Sequence, residues 1–180
     1  MSRSYMNDRW CVRCGRNTPN PYILKNEKIL ESVCNFKNHV IADIGCGNGR
    51  NTKYLIEKGF NVYPVDMVDD YGLRCHIGKD NLPFENNSVN AFLLNYVLMF
   101  LSESERKQLY GEIDRCSNNS ACISIVELYP AKDSYTPNKE SLNTLQEEIC
   151  NVLRCMRFNI IRNSKDGKLV ALKNIFNEGE

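Results

Sequence analysis

The stretch "IADIGCGNGRNTKYL", residues 41–55, joins a short apolar run to a helical pattern through three glycines in five residues. Because glycine has no Cβ, such a turn lets the backbone bend tightly and approach a ligand closely. The free N–H groups at the start of the following helix offer hydrogen bonds to an anionic group. The stretch therefore predicts a ligand-binding turn between a strand and a helix.

Two phosphate-binding motifs also use a glycine-rich turn at this place, and the sequence departs from both of them. A P-loop ends in Gly-Lys followed by Ser or Thr, whereas the first lysine after this turn is Lys53. A dinucleotide fingerprint has a third glycine where Arg50 stands. What remains is Asp-x-Gly-x-Gly-x-Gly over residues 43–49, followed by an acidic residue, Asp66, at the end of the next predicted strand.

Length and charge limit the function classes. The chain has 180 residues and a formal net charge of +1, which fits one domain and excludes a wholly basic nucleic-acid coat. Residues 1–30 nevertheless carry six Lys/Arg against two Asp/Glu. We find no N-terminal apolar segment and no apolar run near the ~18 residues of a membrane span. We therefore expect a cytoplasmic protein without a membrane partner.

The nine cysteines predict reduced thiols rather than a disulfide framework, since the number is odd and most of them fall within predicted helices and strands. Cys11 and Cys14 have the spacing of half a zinc site, which Cys34 and His39 could complete. The pattern places Cys34 in a helix and His39 at the start of a strand, so both positions are explained without a metal. We therefore predict no metal site.

Strand and helix patterns alternate along the chain. Predicted strands cover residues 39–45, 60–66, 74–78, 89–97 and 121–129, and predicted helices cover residues 23–36, 50–59, 102–117 and 138–156. Ser102 and Glu105 form a capping box. Alternating runs around an Asp-Gly turn predict a final hairpin of residues 158–163 and 168–174. The pattern predicts an α/β fold with a doubly wound, mostly parallel sheet and a C-terminal antiparallel hairpin.

The glycine turn together with Asp66 resembles the first motif of the class I S-adenosylmethionine-dependent methyltransferases, and the resemblance covers roughly residues 26–175. It implies a Rossmann-like methyltransferase fold, S-adenosylmethionine as the cofactor, and Asp66 as the carboxylate that takes both ribose hydroxyls. Two hydroxyl donors match the two oxygens of a carboxylate. One departure is Asn90, which stands where the family usually has an acidic residue. The residues that the resemblance places at the cofactor are Asp43, Gly45, Cys46, Gly47, Asn48, Asp66, Met67, Asp80, Asn81, Leu82 and Asn95.

A narrower resemblance is to the tellurite-resistance methyltransferase group, whose members transfer methyl groups to small oxyanions or related detoxification substrates. Residues 50–52 and 97–101 carry it. In that group, basic and His residues near the last hairpin contribute to the substrate site. Arg162 and Lys168 are available here, whereas Ile161 stands where a His is expected.

A sulfonium methyl group is already a strong electrophile, so the protein mainly has to align the acceptor with the methyl–sulfur bond. We expect methyl transfer from S-adenosylmethionine to a small-molecule acceptor by in-line displacement. A general base is optional, and the candidates are Glu127, Lys132 and Tyr135. The residues expected at the acceptor are Arg13, Arg16, Tyr22, Arg50 and Tyr96.

Two alternatives stay open. The basic N-terminal arm, residues 1–25, is compatible with a nucleotide or nucleic-acid methyltransferase, although no added module large enough to read a nucleic acid is present. A non-catalytic regulatory protein that binds S-adenosylmethionine would carry the same motif. The arm either folds over the pocket as a lid or covers a sheet edge or a helix face, and residues 26–180 form the predicted methyltransferase domain.

Overall fold

A computed structural model describes residues 17–34, 37–67, 72–128 and 140–174 of the chain. The strands are β1 (Val40–Ile44), β2 (Asn61–Asp66), β3 (Leu73–Arg74), β4 (Val89–Asn95), β5 (Ala121–Glu127), β6 (Asn159–Ser164) and β7 (Lys168–Asn174). The helices of these ranges are α1 (Pro21–Val33), α2 (Arg50–Glu57), α3 (Glu103–Cys116) and α4 (Leu142–Cys155), and Leu98–Phe100 forms a 3-10 turn.

The strands form one seven-stranded sheet in the order β3-β2-β1-β4-β5-β7-β6. Strands β1 to β5 pair in parallel, and β7 is antiparallel to both β5 and β6. The predicted fold class is therefore confirmed. The strand order reverses between β1 and β4, and in such sheets ligands bind outside the carboxyl ends of the strands at this point.

The core lies on both faces of the sheet because consecutive strand residues point to opposite sides. On β4, Phe92 and Leu94 pack in one apolar cluster with residues of α3 and α4. Ala91 and Leu93 pack in the other cluster with residues of α1 and α2. Strands with buried residues on both faces explain the continuous apolar runs in the sequence.

Local signals account for most element boundaries. The capping box is confirmed, since the Ser102 hydroxyl accepts from the Glu105 N–H and the Glu105 carboxylate accepts from the Ser102 N–H. The hairpin is confirmed, and its turn uses Gly167 at a φ of +79°. The strand predicted at residues 74–78 is wrong beyond Arg74. There the N–H groups of Lys79 and Asp80 both donate to the His76 carbonyl and close a turn instead.

The predicted boundary at residue 25 falls inside a helix, because α1 begins at Pro21. Residues 17–25 are the described part of the predicted arm, and residues 1–16 lie outside the described ranges. Asn20 caps α1 through its side-chain oxygen, which accepts from the Tyr22 N–H at 2.7 Å. The division of the chain at residue 25 stays a prediction.

Candidate functional site

The glycine turn leads from the carboxyl end of β1 into α2. Gly45, Gly47 and Gly49 have φ values of +67°, +57° and +70°, a region in which other L-residues are strained. The N–H groups of Gly45 and Cys46 both donate to the Val65 carbonyl, at 2.7 and 3.2 Å. The turn is thereby fastened to the carboxyl end of the neighbouring strand β2.

Gly45 and Gly47 face different surroundings. A Cβ on Gly45 would lie 2.5 Å from Cγ2 of Val97, so this glycine packs against the segment that follows β4. A Cβ on Gly47 would meet no described atom within 4 Å. The Gly47 N–H donates to Oδ2 of Asp66 at 2.9 Å. Gly47 therefore lies at an open rim, directly beside the carboxylate at the end of β2.

Asp43 lies beneath this turn in the protein interior, with 2% of its surface exposed. Its Oδ2 accepts a 2.6 Å hydrogen bond from the Thr52 hydroxyl, which ties β1 to α2. Burial, together with the nearby charge of Asp66, raises the pKa of Asp43 to about 6. Asp43 thus holds the turn in place from inside the protein.

Two other predicted cofactor residues belong to the turn itself. Cys46 is buried, and burial, followed by the charges of Asp43 and Asp66, raises the pKa of its thiol. The thiol therefore stays protonated near neutral pH, and a nucleophilic role does not fit it. Asn48 accepts a hydrogen bond from the Arg50 N–H at 3.3 Å and so supports the start of α2.

The residues predicted to read the adenine edge lie in the loop after β3. Oδ2 of Asp80 accepts from the His76 N–H at 2.7 Å. The Asn81 carbonyl lies 3.7 Å from the Cys75 thiol, and the Cys75 N–H donates to the Asp66 carbonyl at 2.8 Å. The loop therefore starts beside Asp66. Met67, the residue after β2, is half-buried, and the Leu82 side chain is buried.

A polar cluster lies where β4 and β5 end. Glu127 is 5% exposed, and its Oε2 accepts from Nδ2 of Asn20 at 2.6 Å and from Nδ2 of Asn95 at 3.3 Å. The Tyr96 N–H donates to the Glu127 carbonyl at 2.8 Å, and Tyr96 has a φ of +60°. Oδ1 of Asn95 is buried and has no partner among the described residues. This unsatisfied oxygen is a place where a ligand donor would fit.

Sequence reasoning missed Asn20 and Asn51. The Asn20 N–H donates to Oδ1 of Asn51 at 2.8 Å, so Asn20 joins the start of α1 to α2 as well as to Glu127. The available signal was Asn followed by Pro at the start of a helical pattern, which is typical of an N-cap. Nothing in the sequence indicated that this cap would reach a carboxylate 107 residues away.

The predicted acceptor residues are distributed unevenly. Tyr22, in the first turn of α1, lies in the core, and burial raises the pKa of its hydroxyl. Tyr96 is half-buried, and burial, followed by the charge of Glu127, raises its pKa to about 12. Arg50 is half-buried in the first turn of α2. The remaining predicted residues, Arg13, Arg16, Lys132 and Tyr135, lie outside the described residues.

The basic hairpin residues make other contacts. Nη1 of Arg162 donates to Oδ1 of Asn26 at 2.7 Å, which ties the hairpin to α1. Lys168 pairs with Asp166 within the hairpin turn. Both positions therefore contribute to the structure of the hairpin.

Two of the hypothetical zinc ligands, Cys34 and His39, lie within the described ranges. Burial raises the pKa of Cys34 to about 12, and Nδ1 of His39 lies 2.9 Å from the Val33 carbonyl. No group of three or more potential metal ligands occurs in the part of the chain that the structure describes. Cys11 and Cys14 lie outside it.

Within the described ranges, no helix is both long enough and apolar enough to cross a membrane.

The family model described as methyltransferase domain matches residues 42–122, from β1 into β5. These residues, slightly less than half of the chain, are similar to a methyltransferase domain. The match contains the glycine turn and Asp66, the motif on which the sequence prediction rested. The match agrees with the predicted enzyme class, an S-adenosylmethionine-dependent methyltransferase.

One curated relative and two solved structures that are similar to this chain are also described as methyltransferases. Phosphoethanolamine N-methyltransferase 1 of Caenorhabditis elegans is 32% identical over an alignment 90 residues long, and this alignment covers 43% of this chain and 19% of that protein. The Burkholderia thailandensis 1,6-didemethyltoxoflavin-N1-methyltransferase, solved with S-adenosylhomocysteine, is 17% identical, with a TM-score of 0.67 over 95% of this chain and 84% of that one. A TehB-like methyltransferase from Corynebacterium glutamicum is 15% identical, with a TM-score of 0.61 over 95% and 96%. The two structures show the same fold.

Proposed function

We propose that this chain transfers the methyl group of S-adenosylmethionine to a small-molecule acceptor by in-line displacement. The observation that carries the proposal is the open rim at Gly47, where a Cβ would meet no described atom within 4 Å and the backbone N–H lies 2.9 Å from the Asp66 carboxylate. A cofactor that crosses the turn would occupy this space. The two oxygens of Asp66 match the two adjacent ribose hydroxyls of such a cofactor.

When bound, S-adenosylmethionine supplies a sulfonium methyl group, and the protein then has to orient the acceptor and exclude water. Asp66 and the turn would hold the nucleoside, and Asn95 would lie nearer the reacting end. Its buried Oδ1 has no partner among the described residues and would accept a donor from a bound ligand. This assignment uses groups that the fold already holds in place.

The acceptor would lie at the ends of β4 and β5. Glu127 is the described carboxylate at this place and is the candidate for a general base. It is held by the side chains of Asn20 and Asn95, while Tyr96 in its strained conformation flanks it. Such a fixed arrangement favours a small acceptor that is oriented by a few polar contacts.

The proposal of a small acceptor is also supported by relatives. The Burkholderia protein is described as acting on 1,6-didemethyltoxoflavin, and the Caenorhabditis protein as a phosphoethanolamine methyltransferase. Because the chain covers 19% of the latter, that reaction does not transfer by similarity alone. The likeness to the tellurite-resistance group rests on residues 50–52 and 97–101 and on one TehB-like structure. Oxyanions therefore belong among the acceptors to be tested.

We also propose that the N-terminal arm contributes to the acceptor site. Its described end reaches the site, since Asn20 contacts both Glu127 and Asn51. A truncation at residue 26 would remove the first turn of α1 and these contacts. A chain that starts at Asn17 keeps them and removes the basic residues that precede the helix. If the arm is a lid, this chain keeps cofactor binding and loses methyl transfer. Intact transfer would reject the lid.

The experiment that tests the function is a transfer assay with S-adenosylmethionine carrying a labelled methyl group. Oxyanions, thiols, amines, nucleotides and cell extract serve as acceptors, and a Gly47→Val chain is the matched control. We expect label in a small-molecule fraction with the unaltered chain alone. Label in RNA or DNA, with a yield that falls steeply as salt rises, would favour the nucleic-acid alternative. Cofactor binding without transfer to any fraction would favour a regulatory protein.

A further inference from the structure

An ion pair on α3 faces the loop that follows β3. Glu112 and Arg115 are three residues apart, and their side chains meet twice, with Nε to Oε1 at 2.9 Å and Nη2 to Oε2 at 2.6 Å. The two side chains are 10% and 30% exposed, respectively. This two-point contact fixes the plane of the guanidinium, which a single point contact would not do.

The pair holds the backbone of the loop directly. Oε2 of Glu112 accepts from the Leu82 N–H at 2.7 Å, and Nη2 of Arg115 donates to the Leu82 carbonyl at 3.1 Å. Nη1 of Arg115 also donates to the Phe84 carbonyl and to Oδ1 of Asn86, both at 2.9 Å. Both backbone polar groups of Leu82 are therefore held by side chains of α3.

The other end of the same loop is fixed next to the proposed ribose site. The Cys75 N–H donates to the Asp66 carbonyl at 2.8 Å, and the Cys75 thiol lies 3.7 Å from the Asn81 carbonyl. Asp80 and Asn81 are thus held between the end of β2 on one side and the ion pair of α3 on the other. Their side chains are exposed, so a ligand can reach them.

We propose that Glu112 and Arg115 are positioning residues that set the specificity of residues 80–82 for the adenine base of the cofactor. The inference rests on the proposed function, since it assumes that S-adenosylmethionine binds beside Asp66. Adenine presents an exocyclic amine as a donor, whereas hypoxanthine presents a carbonyl at the same place. A loop held in one position discriminates between them because the wrong base leaves polar groups unpaired. A loop that moves adapts to either base.

The test compares the affinities of S-adenosylhomocysteine and S-inosylhomocysteine by calorimetry. We expect the unaltered chain to bind the adenosyl compound about 5- to 150-fold more tightly. This factor corresponds to the cost of leaving one buried polar group without its hydrogen bond. Arg115→Lys keeps the charge but replaces the planar fork by a single ammonium. We expect this variant to lose most of the preference. Arg154→Lys on α4 is the matched control, because its exposed guanidinium contacts Asn151 at 3.3 Å, and it should keep the full preference.

The outcomes separate the inference from the function beneath it. If the unaltered chain does not bind S-adenosylhomocysteine, both the proposed function and the inference fail. If it binds and Arg115→Lys keeps the unaltered preference, the inference alone is wrong. If Arg115→Lys binds both compounds more weakly by the same factor, the preference is intact and the ion pair has a structural role only. This result would also overturn the inference. Should Arg115→Lys fail to fold, Glu112→Gln provides the same comparison, with the same expected loss of preference.

Discussion

Two glycines of the same short turn, Gly45 and Gly47, allow a prediction with an internal control. Gly47→Ala adds a methyl group where no described atom lies within 4 Å, and Gly45→Ala adds one 2.5 Å from Cγ2 of Val97. Both positions have a positive φ, at +57° and +67°. The left-handed conformation costs a non-glycine residue about 1–2 kcal/mol in either case.

The expected losses of stability therefore differ. Gly47→Ala should lower the free energy of unfolding by about 1–2 kcal/mol, from backbone strain alone. Gly45→Ala carries the same strain plus an overpacking cost of about 1–3 kcal/mol, because Val97 or the turn must move. Urea denaturation measures both values, and a similar m-value in all three chains is needed for the comparison.

Cofactor affinity should rank the same two variants in the opposite order. Gly45→Ala should lose more stability, whereas Gly47→Ala should lose more affinity for the cofactor. The strain at residue 47 is present in the free and the bound chain, so it does not itself weaken binding. The added methyl group, however, occupies the proposed cofactor space, and overpacking of about 1–3 kcal/mol corresponds to an affinity loss of roughly 5- to 150-fold. Calorimetry with S-adenosylhomocysteine measures it. If Gly47→Ala binds with unchanged affinity while losing the expected stability, the cofactor does not cross this turn.

Three further predictions concern stability. Burial raises the pKa of Asp43 from its ordinary 3.8 to about 6, so the ligand-free chain should lose about 3 kcal/mol as pH rises from 4 to above 6. Asp43→Asn should flatten this profile in urea titrations. Arg106 is fully buried and pairs with Glu148, so Arg106→Met should cost about 3–5 kcal/mol. The exposed neighbour Lys107, changed to Met, should cost less than about 1 kcal/mol. Ser102→Ala should cost about 1 kcal/mol through the lost cap, as thermal unfolding would show.

The sequence predicted the parts of the fold that depend on periodicity. The apolar runs at β4 and β5 are buried on both faces, and the Ser102 capping box starts α3 as expected. The third strand was predicted too long because "RCHIG" has apolar residues at strand spacing. Gly78 in that run has a φ of +81°, and the chain turns at His76 instead. Short apolar runs do not distinguish a strand from a packed loop.

The candidate site could be predicted only where a local motif marks it. The glycine turn and Asp66 are close in sequence, and the structure places the Gly47 N–H on the Asp66 carboxylate. The contact between Asn20 and Glu127 joins residues 107 apart, and no local pattern indicates such a pair. The hydrogen bonds from α3 to the Leu82 backbone could not be predicted for the same reason. In the sequence, Glu112 looks like any exposed residue of an amphipathic helix.

The central claim is that S-adenosylmethionine binds across the glycine turn with its ribose on Asp66. Calorimetric titration of S-adenosylhomocysteine into the unaltered chain and into Asp66→Ala tests it most directly. We predict saturable binding by the unaltered chain and an affinity about 10- to 150-fold lower in the variant, since hydrogen bonds to a charged group contribute roughly 1.5–3 kcal/mol. No binding by the unaltered chain, or equal affinity in the two chains, would contradict the account.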